Sequence, residues 1–216
     1  MELNRWIGSF LILFGVIFGS YHFIEWQIGH SAAKHLTKSE IKKYKEEKQP
    51  NHVLPEPTIQ RQVPSAELPF TLGEKVALLI IPKISQKYSV YWGADKNTLK
   101  KGVGMYVSQE TTAPDGVGHT VLSGHRDTVF IRLGELMIGD LLKLEYGDYL
   151  YTYKIKKIWI TEPDDQTVII KKETSTLTLT TCYPFNFIGN APKRYIVQAK
   201  LFYKQDVNPT LNKRRI

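Results

Sequence analysis

The sequence predicts an all-β domain, a sandwich or barrel, standing behind one apolar N-terminal helix. From Thr71 onward, short runs rich in β-branched and aromatic residues recur at regular spacing, with Gly, Pro, Asn and Asp between them. Before that point only one stretch, Trp6 to Ile24, is long and apolar, and no sustained amphipathic helix follows it. A hydrophobic content of 42% with 23% charged residues is ordinary globular composition, so disorder is not the default.

Trp6 to Ile24 is 19 residues without Asp, Glu, Lys or Arg, and as a helix it reaches about 30 Å, the thickness of a bilayer's hydrocarbon core. Residues 1–30 are therefore expected to be a membrane anchor. A cleaved signal peptide is the rival, but its best small-residue site, Ser31-Ala-Ala33, lies beyond Glu25 and Trp26, far from the apolar centre. Arg5 alone precedes the span, whereas Lys34, Lys38, Lys42 and Lys43 follow it. The positive-inside rule by itself would leave the β-domain in the cytoplasm.

Residues 31–69 read as a juxtamembrane helix and a linker. The stretch 31–48 holds good helix formers but few apolar residues, so a solvated helix or a charged spacer is expected. From Gln49 to Pro69 come Pro50, Pro55, Pro57, Pro64 and Pro69, the composition of a semi-rigid extended linker.

Residues 70–204 form the β-domain. Strands are expected over Val76–Ile81, Tyr88–Trp92, Thr120–Ser123, Leu141–Tyr146, Tyr149–Ile160, Thr176–Cys182 and Tyr195–Tyr203. A further short strand falls near Gly104–Val107 or Val168–Ile170. Leu99–Gly102 and Val129–Met137 have room for one helical turn each, and 205–216 is a basic tail. The net charge of +8 is carried by the folded part: residues 1–69 hold 8 Lys/Arg against 7 Asp/Glu, and residues 70–216 hold 21 against 14. A basic surface suits anionic lipid or wall polymer as well as nucleic acid, but no nucleic-acid module is recognisable.

The chemistry gathers on one thiol. Cys182 is the only cysteine in the chain, so an intramolecular disulfide is excluded. In the run Ser175-Thr-Leu-Thr-Leu-Thr-Thr-Cys-Tyr-Pro184, Leu177, Leu179 and Thr181 share one face of a period-2 strand. Thr176, Thr178, Thr180 and Cys182 share the other. The leucines point to a core and the cysteine away from it, at a strand end marked by Pro184. In Lys193–Tyr203, Arg194 shares the outward face with Ile196, Gln198 and Lys200. If residues 183–193 are the loop between antiparallel neighbours, Arg194 lies across from Cys182. A buried cysteine acting as a small hydrophobe is the rival, which this position disfavours.

A free thiol near pKa 8.5 is only a few per cent thiolate at neutral pH, so a nucleophilic cysteine wants an imidazolium or guanidinium beside it. Of the six histidines, His22, His30, His35 and His52 lie outside the β-domain. His119 precedes the apolar Thr120-Val-Leu122 run, while His125 follows it in Ser123-Gly-His-Arg-Asp127, where Gly124 permits a turn that re-aims a side chain. His125 is the better partner, and a structural histidine is the alternative for either. No cofactor is expected. There is no His-x-x-x-His, no second cysteine and no EF-hand loop, and Asp164, Asp165, Glu110 and Asp115 read as solvated loop acids rather than calcium ligands.

Thr178-Leu-Thr-Thr-Cys182, an arginine 12 positions later at the head of the last strand, and Gly124-His125 upstream together resemble the sortase signature. Leu79–Ile84, Gly93, Leu99, Gly102 and Gly104 resemble the family's opening strands. The resemblance covers about residues 70–204 and is greatest to class D, with class E next. It implies an eight-stranded β-barrel with one or two short helices. It further implies a membrane-anchored cysteine transpeptidase acting on secreted proteins that bear a Leu-Pro-x-Thr sorting signal. Cys182 is then the nucleophile, His125 the general acid/base, and Arg194 the stabiliser of substrate and oxyanion. Thr181 and Tyr183, which flank the thiol, are expected to touch substrate. A thioacyl intermediate would be resolved by an amine of peptidoglycan or its lipid-linked precursor. The resemblance also puts the catalytic domain outside the cell, against the lysine count. No second C-terminal apolar span and no aromatic lid motif in residues 49–70 are visible, which speaks against a pilus-polymerising class C enzyme. The rival functions are a cysteine hydrolase with water as acceptor and an inactive, membrane-tethered wall-binding module.

Overall fold

The computed structural model describes residues 2–46, 62–187, 189 and 191–207. The expected linker falls largely on residues outside this set, as does most of the basic tail.

Nine strands and three helices are seen among the described residues. Helix α1 (Glu2–Ser31) contains the apolar span, and no residue of that span is buried. One residue, Ala32, separates α1 from a short strand β1 (Ala33–His35), and helix α2 (Lys38–Glu46) follows. The barrel is built by β2 (Lys75–Ile81), β3 (Gln86–Trp92), β4 (Val103–Met105), β5 (His119–Ser123), β6 (Leu141–Tyr146), β7 (Tyr149–Thr161), β8 (Thr176–Tyr183) and β9 (Lys193–Asp206), with helix α3 (Lys96–Lys101) between β3 and β4. The ladder runs β3-β2-β6-β7-β9-β8-β5-β4, and a β3–β4 pairing closes it. Eight strands therefore form a closed barrel, as the resemblance implied, with β1 added beside β3.

The closure explains the sequence pattern. Leu79, Ile81, Tyr88, Val90, Trp92, Leu122, Leu144, Leu177, Leu179 and Val197 alternate along their strands and fill the interior. At period 2 every second residue faces in, and a closed sheet leaves no edge to aggregate. Of the two sites offered for a further short strand, 103–105 forms one and 168–170 does not. Helix α3 starts earlier than the expected turn because Asp95 caps it, its carboxylate accepting from the N–H groups of Asn97 and Thr98.

Two expectations are corrected. Helix α2 was expected to be solvated, yet Leu36 and Tyr44 are buried with Ile80 and Leu150 in an apolar cluster on the outside of the barrel. The reason is that β2 carries apolar residues on both faces, so its outer face needs a cover. The packed chain also begins before residue 70: Pro64 bridges to Thr112, and Ser65 is fully buried, its N–H donating to Thr111 O at 2.7 Å.

Candidate active site

Cys182 is the penultimate residue of β8 and is half-buried. In the antiparallel β8–β9 ladder it is the direct partner of Arg194, the second residue of β9. Paired residues on one face of such a ladder have Cβ atoms about 5 Å apart. Strand β5 runs parallel to β8 on its other side, with Ser123 opposite Thr180. Two residues beyond this pair stand His125 and Cys182, so the imidazole-bearing loop leaves β5 where the thiol leaves β8. Cys182, His125 and Arg194 line one cavity of about 300 Å³. Beyond the strand ends themselves, its wall includes Leu99, Tyr106 and the β7–β8 connection with Pro163, Val168 and Ile169.

The loop carrying His125 is pinned from below. Thr181 is buried and its hydroxyl donates to Gly124 O at 2.7 Å, while Gly124 N–H donates to Thr180 O at 3.2 Å. Beyond the histidine, Phe130 N–H returns to His125 O at 2.9 Å, and Arg126 Nη2 donates to the carbonyls of Phe187 and Gly189. Gly124 is needed for a reason other than the expected one. It does not adopt a positive φ. A Cβ at this position would instead come within 2.7 Å of both Val129 and Phe130, which are fully buried. Close packing, rather than backbone freedom, demands glycine there.

Arg194 Nη1 donates to Lys193 O at 3.1 Å and to Ala191 O at 3.5 Å, so the guanidinium rests on main-chain carbonyls at the start of β9 and in the loop before it. Tyr183, one residue past the thiol, is not among the cavity's lining. Its ring stacks on Tyr195 at 6.0 Å and meets Phe185 edge-on at 5.7 Å, and both of these partners pack against the core. Thr181 does line the cavity, with its hydroxyl spent on Gly124.

His119 stands apart from this group. It is fully buried, and its Nδ1 lies 2.7 Å from Ile170 O, which can only accept, so Nδ1 carries the proton. Nε2 then accepts from the Thr178 hydroxyl at 2.7 Å, and Thr178 Oγ1 accepts from Gln198 Nε2 at 3.3 Å. The chain of donors runs one way and fixes a neutral ring. Burial, with Lys172 and Lys200 nearby, pushes the His119 pKa down from 6.5 to about 4. Its task is to hold Ile170, in the connection that walls the cleft. Gln62 supports the same connection through Lys172 O, and Lys200 through Thr174. This covering explains why Thr176 and Thr178, on the outward face of β8, are nevertheless buried. Of the expected loop acids, Asp165 is occupied within the turn by Thr161 and by Thr167 N–H and hydroxyl.

Comparison with known proteins agrees with this arrangement. The profile of the Sortase domain matches residues 79–202. Sortase D of Bacillus subtilis strain 168 is 48% identical over 131 residues, 59% of this chain and 64% of that protein. The chain thus spans a little under two thirds of that relative's length. Among solved structures, the catalytic domain of Bacillus anthracis SrtD is 63% identical with a TM-score of 0.57, covering 66% of this chain and 97% of that one. A Clostridium perfringens sortase D5 transpeptidase is 28% identical with a TM-score of 0.55, covering 62% and 82%. The matched region runs from the fifth residue of β2 to the tenth residue of β9, the strand that carries Arg194, and it takes in every wall of the cleft. With more than half of its length inside that domain, the chain belongs to the sortase family.

Proposed function

We propose that the protein is a membrane-anchored cysteine transpeptidase that cleaves a Leu-Pro-x-Thr sorting signal and transfers the released acyl group to an amine of peptidoglycan or its lipid-linked precursor. The observation that carries this reading is the meeting of Cys182, His125 and Arg194 in one cavity from three different strand ends. Cys182 Sγ attacks the threonine carbonyl carbon, and the C–N bond breaks as the C–S bond of a thioester forms. Imidazolium at His125 gives its proton to the leaving amine. Arg194 turns from its main-chain carbonyls to the developing oxyanion, where positioned donors act most strongly. An incoming amine then attacks the thioester, loses its proton to His125, and releases the Cys182 thiolate.

The apolar span of α1 supports a single-pass anchor, with the barrel on the outer side where wall amines are found. The experiment is incubation of the protein with a panel of Leu-Pro-x-Thr peptides, with and without an added amine, followed by mass spectrometry of Cys182. A thioester that is discharged to the amine is expected. Discharge to water regardless of amine would make the protein a hydrolase, and no thioester with any peptide would refute the reading.

A further inference from the structure

Residues 33–44 are fastened to the barrel at successive points. β1 pairs with β3 through Ala33, Lys34 and His35, and Leu36 N–H donates to Ser85 O at 3.0 Å. Helix α2 then begins with a reciprocal cap: Glu40 Oε2 accepts from Thr37 N–H at 2.9 Å, and Thr37 Oγ1 accepts from Glu40 N–H at 3.3 Å. Leu36 and Ile41 flank that cap and pack into the cluster with Ile80 and Leu150. Lys87 pairs with Glu40 at 2.6 Å, and the Tyr44 hydroxyl donates to Glu145 at 3.1 Å. Lys143 is shielded from solvent with its ammonium 5.2 Å from the Tyr44 ring. Four barrel strands, β2, β3, β6 and β7, thus hold this segment.

The other end of the segment is the apolar helix. Gln27 and Ser31, in the last turns of α1, line a cavity with Thr128, Val129 and Ile131. On another side α1 contacts α3. From Ile24, the end of the apolar span, α1 continues for the seven residues 25–31, a rise of about 10 Å. A headgroup layer occupies roughly 5–8 Å of that rise. No flexible chain is left between bilayer and barrel. The proline-rich stretch comes after the docked segment, so it cannot be the tether between them.

We propose that α1, β1 and α2 act as one rigid coupling that seats the barrel on the lipid headgroup layer, with α3 and residues 128–132 as the contact surface. This rests on the reading of α1 as a membrane anchor. The chemistry of the surface fits that partner. α3 carries Lys96, Lys100 and Lys101, Leu72 beside it is 67% exposed, and Ile131 is 45% exposed. Basic and apolar groups side by side are what an interfacial layer accepts. Thr128 is three residues from His125, so the surface that rests on lipid and the loop that carries the acid are one piece of chain. The coupling holds the cleft at one height above the membrane.

The test uses the full chain in lipid nanodiscs, with a fluorescent donor on the single native thiol, Cys182, and acceptors on the lipid headgroups. Wild type should give one narrow energy-transfer distribution. Leu36→Ser with Tyr44→Ser should broaden it and lower its mean, and trypsin should cut after Lys42 and Lys43 about tenfold faster as α2 is released. Tyr44→Phe keeps the ring and should behave as wild type in both measurements. A broad distribution from disc-bound wild type overturns the coupling whatever the fate of the variants, and cutting of wild type after Lys43 as fast as of the double variant overturns it too. Wild type that does not stay with the discs overturns the anchor reading as well, which separates the two failures.

Discussion

Cys182 and Arg194 are direct partners across the β8–β9 ladder, the last outward-facing residue of one strand and the first of the next. The pairing is set by the barrel's hydrogen bonds rather than by the loop between them, so it persists whatever that loop does. A planar guanidinium can donate two parallel hydrogen bonds, whereas a lysine ammonium is a strongly hydrated point charge. Arg194→Lys should therefore lower kcat/KM on a sorting peptide by a factor on the order of 10², the loss expected for one oxyanion donor. Iodoacetamide alkylation of Cys182 across pH 5 to 10 should be measured beside it, about the range over which free thiols titrate. An Arg194→Lys enzyme with near-wild-type turnover would show that charge alone suffices and end the oriented-donor role.

The two histidines of β5 and its following loop should separate cleanly. His125 lines the cavity with the thiol, and His119 is fully buried away from it, bonded to Ile170 and Thr178. His125→Ala should abolish turnover with an unchanged melting temperature. His119→Ala should retain most of kcat, with its defect in KM as the wall of the cleft loosens. Equal losses of kcat in two folded variants would undo this division of labour.

Much of this site was legible because strand period and spacing are local. The alternation around Leu177 and Leu179 put Cys182 on the outer face, and the 12-residue spacing put Arg194 opposite. The docking of α2 was less legible, since its partners are the outer residues of strands far away in sequence. Signals were nevertheless present. Thr37-x-x-Glu40 is a capping pattern, and Leu78-Leu79-Ile80-Ile81 is a continuous apolar run where a strand solvated on one face would alternate. The burial of Thr176 and Thr178 could not be read from β8 at all, because the covering connection owes its position to His119, Gln62 and Lys200.

The held-neutral ring of His119 should make stability depend on acid. Its folded pKa, about 4, lies below the unfolded 6.5. Between these values the unfolded chain binds a proton that the folded one refuses, so stability falls as pH falls through that window and levels off below it. The full effect is on the order of 3 kcal/mol. Carboxylates also titrate at the lower end, so the measurement is the difference between wild type and His119→Asn. Melting temperatures of wild type should drop more steeply from pH 7 to 4 than those of the variant. Parallel curves would mean that the ring is charged, or free to charge, in the folded state.

Gly124 connects Thr181, the residue before the thiol, to the loop of His125. Its carbonyl accepts from Thr181, its N–H donates to Thr180 O, and His125 follows it directly. A methyl group there would lie 2.7 Å from Val129 Cγ2 and from Phe130 Cδ2. Both neighbours are buried, so neither can swing into solvent, and the backbone must shift instead. The shift carries His125 with it, and a misplacement of about 1 Å can cost 10²-fold in rate. Gly124→Ala should therefore lower kcat/KM by about that factor while the overpacking costs roughly 1–3 kcal/mol of stability. Trimming the obstructing ring isolates the cause. In the Gly124→Ala background, Phe130→Leu should recover about tenfold in kcat/KM even though Phe130→Leu alone opens a void in the core. Folded single and double variants with the same residual activity would show that the glycine serves some purpose other than letting His125 approach the barrel this closely.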